Sequence, residues 1–234
     1  MRRGLSATAL KGIAAAGMLA DHLYTFFPGV FPAWIHPATR FVAPIFAFFV
    51  VEGYAHTSDR TRYGLRLWTG AAGMLLLRAA LEYGAGIVIR NNILYTLALG
   101  YTAVCCAERG KRDGGAWYAL SLLFVFAGAL TAEGGMSVLP FMLLCAMTRG
   151  RPRERACGAL VWGALLCVAE TFAALHEAQP VLPTLMRRSD FLFPAALPLL
   201  ALYNGERGGG RGAKWGFYLF YPAHIAVLAL ASGL

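Results

Sequence analysis

Charged side chains are scarce in this chain, because Asp, Glu, Lys and Arg together make up only 14% of its 234 residues. A soluble domain normally carries about 25%. Hydrophobic residues make up 58%, and apolar runs of membrane-spanning length recur along the whole sequence. The shortage of charge therefore excludes an ordinary soluble globular domain and predicts an integral membrane protein.

Cysteines and acidic residues are also few. The five cysteines are odd in number, lie in or beside apolar runs and form no CxxC pair, so they predict neither a disulfide framework nor a metal site. Twelve acidic residues against 21 basic ones leave a formal net charge of +9. Most basic residues fall in short loops between apolar runs. They are topology signals, and they do not predict nucleic-acid binding.

Helix-length apolar segments are what the sequence has in quantity. They predict an all-α fold, a polytopic transmembrane helix bundle of about nine spans (8–10) that forms a single domain over residues 1–234. The predicted spans are Ala7–Phe27, Thr39–Ala55, Arg62–Glu82, Asn91–Ala107, Ala116–Thr131, Gly134–Thr148, Ala156–His176, Arg187–Tyr203 and Trp215–Gly233.

The basic residues orient this bundle. Sixteen of the 21 fall on one predicted side, in the segments around Arg2, Arg60, Arg109, Arg149 and Arg207, and five on the other. The positive-inside rule then places the N-terminus in the cytoplasm and the C-terminus outside, in a multi-pass protein of the cell (inner) membrane.

The stretch Thr39–Thr57 is apolar but carries ionisable groups at both ends, namely Arg40, Glu52 and His56. Such groups are costly in a bilayer and mark functional sites, although groups at the water interfaces cost little. With the predicted topology the polar residues form two layers, with His224 between them. The outer layer contains Asp21, His22, Arg40, Asn91, Asn92 and Tyr95, and the inner layer contains Glu52, His56, Arg60, Arg62, Arg66, Lys214 and Tyr218.

Asp21 and His22 are the polar pair of the first span. Neighbours on a helix diverge by about 100°, so they cannot easily orient each other. We expect His22 on a cavity, as a general base, and Asp21 against Arg40 or another helix. The alternatives are a His22 in the outer headgroup layer and a His224 that is simply packed and donates to a backbone carbonyl.

The inner basic residues form a cationic rim. Such a rim can hold a polyphosphate such as coenzyme A, although each arginine alone is typical of a topology anchor. The glycine-rich segment Asn204–Lys214 lacks the strand and helix context of a phosphate loop, and it predicts a flexible cytoplasmic turn.

Several segments resemble the TraX family, in the same order and over nearly the whole chain. They are LKGIAAAGMLADH, VAPIFAFFVVEGYAHT followed by RYGLRL, NNILYTLALG, AEGGMSVL, and LALYNGERGG with KWGFYLFYPAHIAVLAL. The resemblance implies membrane-bound N-acetylation of a pilin subunit, with acetyl-CoA as donor. The family is similar in logic to multi-span enzymes that acetylate glycans across a bilayer. By that analogy the catalytic residues are Asp21, His22 and His224.

The expected function is transfer of an acetyl group from cytosolic acetyl-CoA to an amine or hydroxyl on the outer side, on a pilin-like protein or an envelope glycan. Asn91, Asn92, Tyr95 and Arg40 are the predicted substrate and oxyanion residues. Arg60, Arg62, Arg66, Lys214 and Tyr218 are the predicted coenzyme A residues, supported by Glu52, His56 and Tyr221. The alternatives are a small-solute or ion transporter, which would use the same buried groups, and an assembly factor for a surface structure.

Overall fold

The structure, a computed structural model, describes residues 4–89 and 91–233, without the side chains of Arg211, Ala213 and Lys214. Within these ranges every regular element is helical. The helices are α1 (Ala7–Phe26), α2 (Ile35–Ala38), α3 (Val42–His56), α4 (Arg60–Ala85), α5 (Ile93–Asp113), α6 (Gly115–Thr131), α7 (Gly135–Met147), α8 (Pro152–His176), α9 (Val181–Arg187), a 3₁₀ helix (Ser189–Ala195), α10 (Ala196–Ala201) and α11 (Arg211–Ser232).

Eight of the nine predicted spans each coincide with one helix. The remaining predicted span, Arg187–Tyr203, is not one continuous helix, because the chain there passes from the end of α9 through the 3₁₀ helix into the short α10. Pro194 and Pro198 explain the break, since proline lacks the N–H that a continuous helix needs and its ring clashes with the preceding turn.

Three helical stretches of the described chain are long and apolar enough to cross a membrane, namely Ile35–His56, Pro152–His176 and Trp215–Ser232. The exposed faces of other helices fit the same environment. Helix α6 buries only Ser121 and Gly128 among its seventeen residues, while Leu122 and Phe126 are more than half exposed. Apolar surface on this scale is costly in water but not against lipid. The full span count and the orientation remain predictions.

Helix α3 lies at the centre of the bundle. Nine of its fifteen residues are buried, including Phe48, Phe49 and Val51, and it packs against α1, α5 and α7. Its sequence, VAPIFAFFVVEGYAH, is apolar on all sides until Glu52, as expected of a helix that is surrounded by other helices. Glu52 is partly buried near the C-terminal end of this helix, and His56 is exposed at its last position.

The glycine-rich loop (residues 204–210) is attached to the start of α1, a contact that the sequence does not predict. The backbone N–H groups of Ala7 and Thr8 donate to the carbonyl oxygens of Glu206 and Arg207, at 2.9 and 3.0 Å. These are two of the N–H groups that have no partner within their own helix. The bonds fix Arg207 beside the first turns of α1.

The contact between α6 and α7 depends on Gly135. A methyl group there would overlap the backbone of Gly128 and Ala129, which cannot move as a flexible side chain can. We expect Gly135→Ala to lower the free energy of unfolding by about 1–3 kcal/mol through overpacking. Gly73→Ala is the matched control, since its methyl group would meet no atom within 4 Å. Thermal unfolding in detergent measures both, and equal midpoints would contradict the expected overlap.

Candidate active site

Two buried histidines from opposite ends of the chain form a pair where α1 packs on α11. His22 Nδ1 lies 2.6 Å from His224 Nε2, and the two ring planes are within 20° of parallel, with centroids 4.9 Å apart, so the rings meet edge to edge. His224 Nδ1 lies 2.7 Å from the carbonyl oxygen of Phe220, one turn earlier in α11. The two residues are only 4% and 8% exposed, so neighbouring side chains cover both rings almost completely.

The hydrogen-bond partners fix which nitrogen carries each proton. The carbonyl oxygen of Phe220 can only accept, so Nδ1 of His224 must carry a hydrogen. In a neutral pair Nε2 of His224 then accepts, and Nδ1 of His22 donates to it. This leaves Nε2 of His22 with a free lone pair, and His22 lines the outer of the two cavities described below. The arrangement suits His22 to proton abstraction, with His224 setting its tautomer.

Asp21 belongs to a separate cluster, as the divergence of neighbouring helix positions predicts. Its carboxylate accepts from Arg40 Nη2 at 2.6 Å and lies 2.8 Å from His36 Nδ1. Arg40 also donates to Asp190 at 3.2 Å, which ties α1 and the chain before α3 to the 3₁₀ helix. The carboxylate of Asp21 therefore orients Arg40 rather than His22.

A cavity of about 420 Å³ is lined by this cluster together with His22. We call it the outer cavity, because it contains residues of the predicted outer layer. Its lining contains both basic and acidic side chains. The charged and polar residues that line it are Asp21, His22, His36, Thr39, Arg40, Glu133, Ser137, Glu170, Arg187, Arg188, Asp190 and Tyr221. A cavity of this size and polarity can admit a polar group of an acceptor molecule.

A second cavity, which we call the inner cavity because it contains residues of the predicted inner layer, has a volume of about 480 Å³. Its lining is mostly apolar, and most of its charged residues are cations. Three cations from three parts of the chain line it: Lys11 from α1, Arg66 from α4 and Arg207 from the glycine-rich loop. Its single lining carboxylate, among the described residues, is Glu52, which lies 3.4 Å from His56 Nε2. The surplus of positive charge suits an anionic ligand.

Two cations of the inner cavity contact aromatic rings, and one of them has a buried hydrogen-bond donor that no described group accepts. Lys11 Nζ lies 5.0 Å from the ring centroid of Phe49, and the Arg66 guanidinium lies 5.3 Å from that of Tyr63. The Nε of Arg66 is buried, and it has no hydrogen-bond partner within the described chain. A buried donor without a partner is costly, and the free energy is recovered when a ligand oxygen accepts from it.

The two cavities adjoin at four shared lining residues, which are Met18, Phe46, Ile93 and Tyr221. The His22 ring lies beside this junction, with its centroid 6.2 Å from that of Tyr221. His22, the candidate general base, therefore lies next to the point where a ligand bound in the inner cavity would reach the outer cavity.

The remaining predicted substrate residues line neither cavity, although they lie next to Ile93, which lines both. Asn91 Nδ2 donates to Glu133 Oε1 at 3.0 Å, and the Asn92 side chain accepts from Tyr95 N and caps α5. Burial raises the pKa of the Glu133 carboxyl, while its bonds to Asn91 and to the backbone of Asn92 oppose the rise. These contacts hold the start of α5. The oxyanion role of Asn91, Asn92 and Tyr95 stays a prediction, and their positions outside both cavities do not support it.

The predicted coenzyme A residues divide in two. Arg66 and Tyr218 line the inner cavity, as do the supporting residues Glu52, His56 and Tyr221. Arg60 instead stacks on the Tyr54 ring and Arg62 pairs with Asp59, and neither lines that cavity. The side chain of Lys214 lies outside the described residues.

Sequence reasoning missed Lys11 and Arg207 as lining residues. Both were interpreted only as topology signals. The glycine-rich segment next to Arg207 was a usable signal, but its attachment to α1 is a contact between residues about 200 positions apart. No local pattern reports such a contact.

Comparison with known proteins gives two matches. A family model described as "TraX protein" matches residues 6–232. A curated relative, "Probable fimbrial assembly protein FimC, serogroup H1" from Dichelobacter nodosus, is 29% identical over 245 residues, covering 97% of this chain and 95% of that protein. No solved structure matches the chain.

Proposed function

Because this chain belongs to the TraX family, we propose that it is a membrane-embedded acetyltransferase that uses cytosolic acetyl-CoA to acetylate an amine or hydroxyl at the outer side of the membrane. The family is associated with pilin acetylation, and the relative in D. nodosus is described as a fimbrial assembly protein. The observation that carries the proposal is the histidine pair, which lies beside the junction of a cationic inner cavity and a polar outer one.

The inner cavity is the proposed donor site. Lys11, Arg66 and Arg207 hold the phosphates of acetyl-CoA, and the orphaned Nε of Arg66 gains an acceptor there. The thioester lies at the junction, between the shared residues Phe46 and Tyr221. This site requires the inner cavity to face the cytoplasm, as the positive-inside rule predicts.

His22 performs the proton transfers of the reaction. Its Nε2 takes the proton of the acceptor amine or hydroxyl while the nitrogen or oxygen of that group attacks the thioester carbonyl carbon. The carbonyl electron pair moves to oxygen and then returns as the carbon–sulfur bond breaks. The proton held by His22 passes to the departing sulfur, which leaves as the coenzyme A thiol. His224 accepts the Nδ1–H of His22 throughout, so the developing imidazolium is oriented and stabilised.

The acceptor is proposed to be a pilin-like polypeptide, with an envelope glycan as the other candidate. Membranes from cells that express the chain are incubated with acetyl-CoA labelled in its acetyl group, and the labelled product is identified by mass spectrometry. We expect one polypeptide or glycan to be labelled and an equal amount of free thiol to be released. Membranes with the protein present but no label transferred would refute the acetyltransferase.

A solute transporter is the competing function that the joined cavities also favour. Buried ionisable groups mark translocation paths as well as catalytic sites. The same labelling experiment separates the two, since a transporter releases no coenzyme A thiol from acetyl-CoA.

The donor site makes its own prediction. Arg66→Gln should raise the KM for acetyl-CoA about tenfold, because one hydrogen bond between charged groups is lost, and should leave kcat nearly unchanged. Arg62→Gln is the matched control, since Arg62 lies one turn away on the same helix, is exposed and pairs with Asp59. Initial rates against acetyl-CoA concentration test both variants. An unchanged KM for Arg66→Gln would place the phosphates elsewhere.

A further inference from the structure

A buried hydroxyl at the junction of the two cavities has no part in the proton transfers above. Tyr221 lies on α11, three residues before His224, and is 3% exposed. Its ring centroid lies 6.2 Å from that of His22 and 5.8 Å from that of His224. It lines the inner and the outer cavity alike.

The Tyr221 hydroxyl accepts one hydrogen bond but donates none within the described chain. The backbone N–H of Ile93 donates to Tyr221 Oη at 3.2 Å, and Ile93 also lines both cavities. A phenol oxygen accepts such a bond and still has one hydrogen to donate. In the part of the chain that the structure describes, that hydrogen has no acceptor. The bond from Ile93 therefore fixes the oxygen at the junction and leaves its donor unused.

Other donors near the junction are already occupied. Asn91 is bound to Glu133, and the Asn92 side chain donates to the carbonyl oxygen of Ala71. Arg40 is held by Asp21 and Asp190. An acyl transfer needs a donor aimed at the carbonyl oxygen, where negative charge develops. Tyr221 is the neighbour of His22 that has one available.

We propose that Tyr221 is the oxyanion donor of the transfer reaction, an inference that rests on the proposed acetyltransferase function. As the acceptor atom bonds to the thioester carbon, the carbonyl electron pair moves to oxygen and the Tyr221 O–H donates a hydrogen bond to it. No proton leaves Tyr221. When the carbon–sulfur bond breaks, the charge returns through the carbonyl and the hydrogen bond weakens again. The N–H bond from Ile93 polarises the phenol and strengthens it as a donor.

A purely structural role for the hydroxyl, as the acceptor that satisfies Ile93 N–H, predicts different behaviour. Loss of the hydroxyl would then lower the stability of the protein. It would slow turnover no more than the loss of another buried tyrosine hydroxyl does. Tyr101 provides the comparison, because it is also buried, and its hydroxyl donates to the carbonyl oxygen of Arg60 at 2.7 Å. Tyr101 lines neither cavity.

The test compares Tyr221→Phe with Tyr101→Phe in single-turnover acetyl transfer by the purified full chain in lipid vesicles. We expect Tyr221→Phe to slow the transfer step about a hundredfold while the Kd for acetyl-CoA changes less than twofold. Tyr101→Phe should transfer at the wild-type rate. Wild-type chain with no transfer would refute the acetyltransferase itself. Transfer by wild type and Tyr221→Phe at equal rates would overturn only the role of Tyr221.

Replacement of Tyr221 by 3,5-difluorotyrosine covers the case in which Tyr221→Phe fails to fold. This side chain keeps the shape and the bond from Ile93 but is a stronger donor, so the transfer step should become about twofold faster. An unchanged rate in that variant would contradict a donor role, since a structural hydroxyl gives no reason for the rate to follow phenol acidity.

Discussion

His22→Ala is expected to lower kcat for acetyl transfer on the order of 10⁴-fold, the upper range for loss of a positioned general base. The reason is that His22 supplies the one imidazole nitrogen of the pair with a free lone pair, on the wall of the outer cavity. The KM for acetyl-CoA should change little, because His22 does not line the cationic inner cavity. Steady-state rates with the labelled donor measure both constants.

His176→Ala is the control for this experiment. His176 ends α8, is exposed and lines neither cavity, so its loss should leave turnover unchanged. Both variants must elute from size exclusion as the wild type does. A folded His22→Ala protein with undiminished acetyl transfer would end the case for His22 as the base.

The second large effect is expected at His224, through the tautomer of its partner. His224→Leu removes the acceptor of the His22 Nδ1–H, so the ring can turn or carry its proton on the wrong nitrogen. A comparable loss in a catalytic triad costs about 10⁴-fold, and we expect on the order of 10³-fold here. His224→Gln should recover about tenfold of this loss, because an amide oxygen can accept the same N–H.

A double variant distinguishes a positioning role from an independent one. If His224 acts only through His22, then His22→Ala with His224→Leu should be no slower than His22→Ala alone, since residues that act as a unit have non-additive effects. A further loss in the double variant would show that His224 contacts the reacting groups itself. Equal activities for His224→Leu and His224→Gln would contradict the tautomer argument.

Much of the candidate site could be predicted from local pattern. Polar residues stand out in apolar runs, and helical periodicity gives their depth and direction. It was enough to place His22 on a cavity and Asp21 against Arg40, and to group Arg66, Tyr218 and the other inner residues apart from the outer ones.

Other parts of the site depend on contacts that no local pattern contains. His22 and His224 are 202 positions apart, and their bond exists only because α1 packs on α11. The glycine-rich loop gave a turn signal but no partner, and its bonds to α1 bring Arg207 to the inner cavity. The break in the Arg187–Tyr203 segment, which the apolar pattern predicted as one span, follows from its two prolines.

Local sequence pattern was sufficient to identify an all-helical membrane protein of the TraX family with its ionisable residues in two groups. Hydropathy and helix period are properties of neighbouring residues, and the free energy of moving them into lipid is nearly additive along the chain. Helix packing, in contrast, sets which histidine nitrogen keeps its lone pair, which cations share a cavity and where the Tyr221 hydroxyl lies. These follow from side chains that meet across helices at distances of about 3 Å, where a shift of one residue in packing would change every partner.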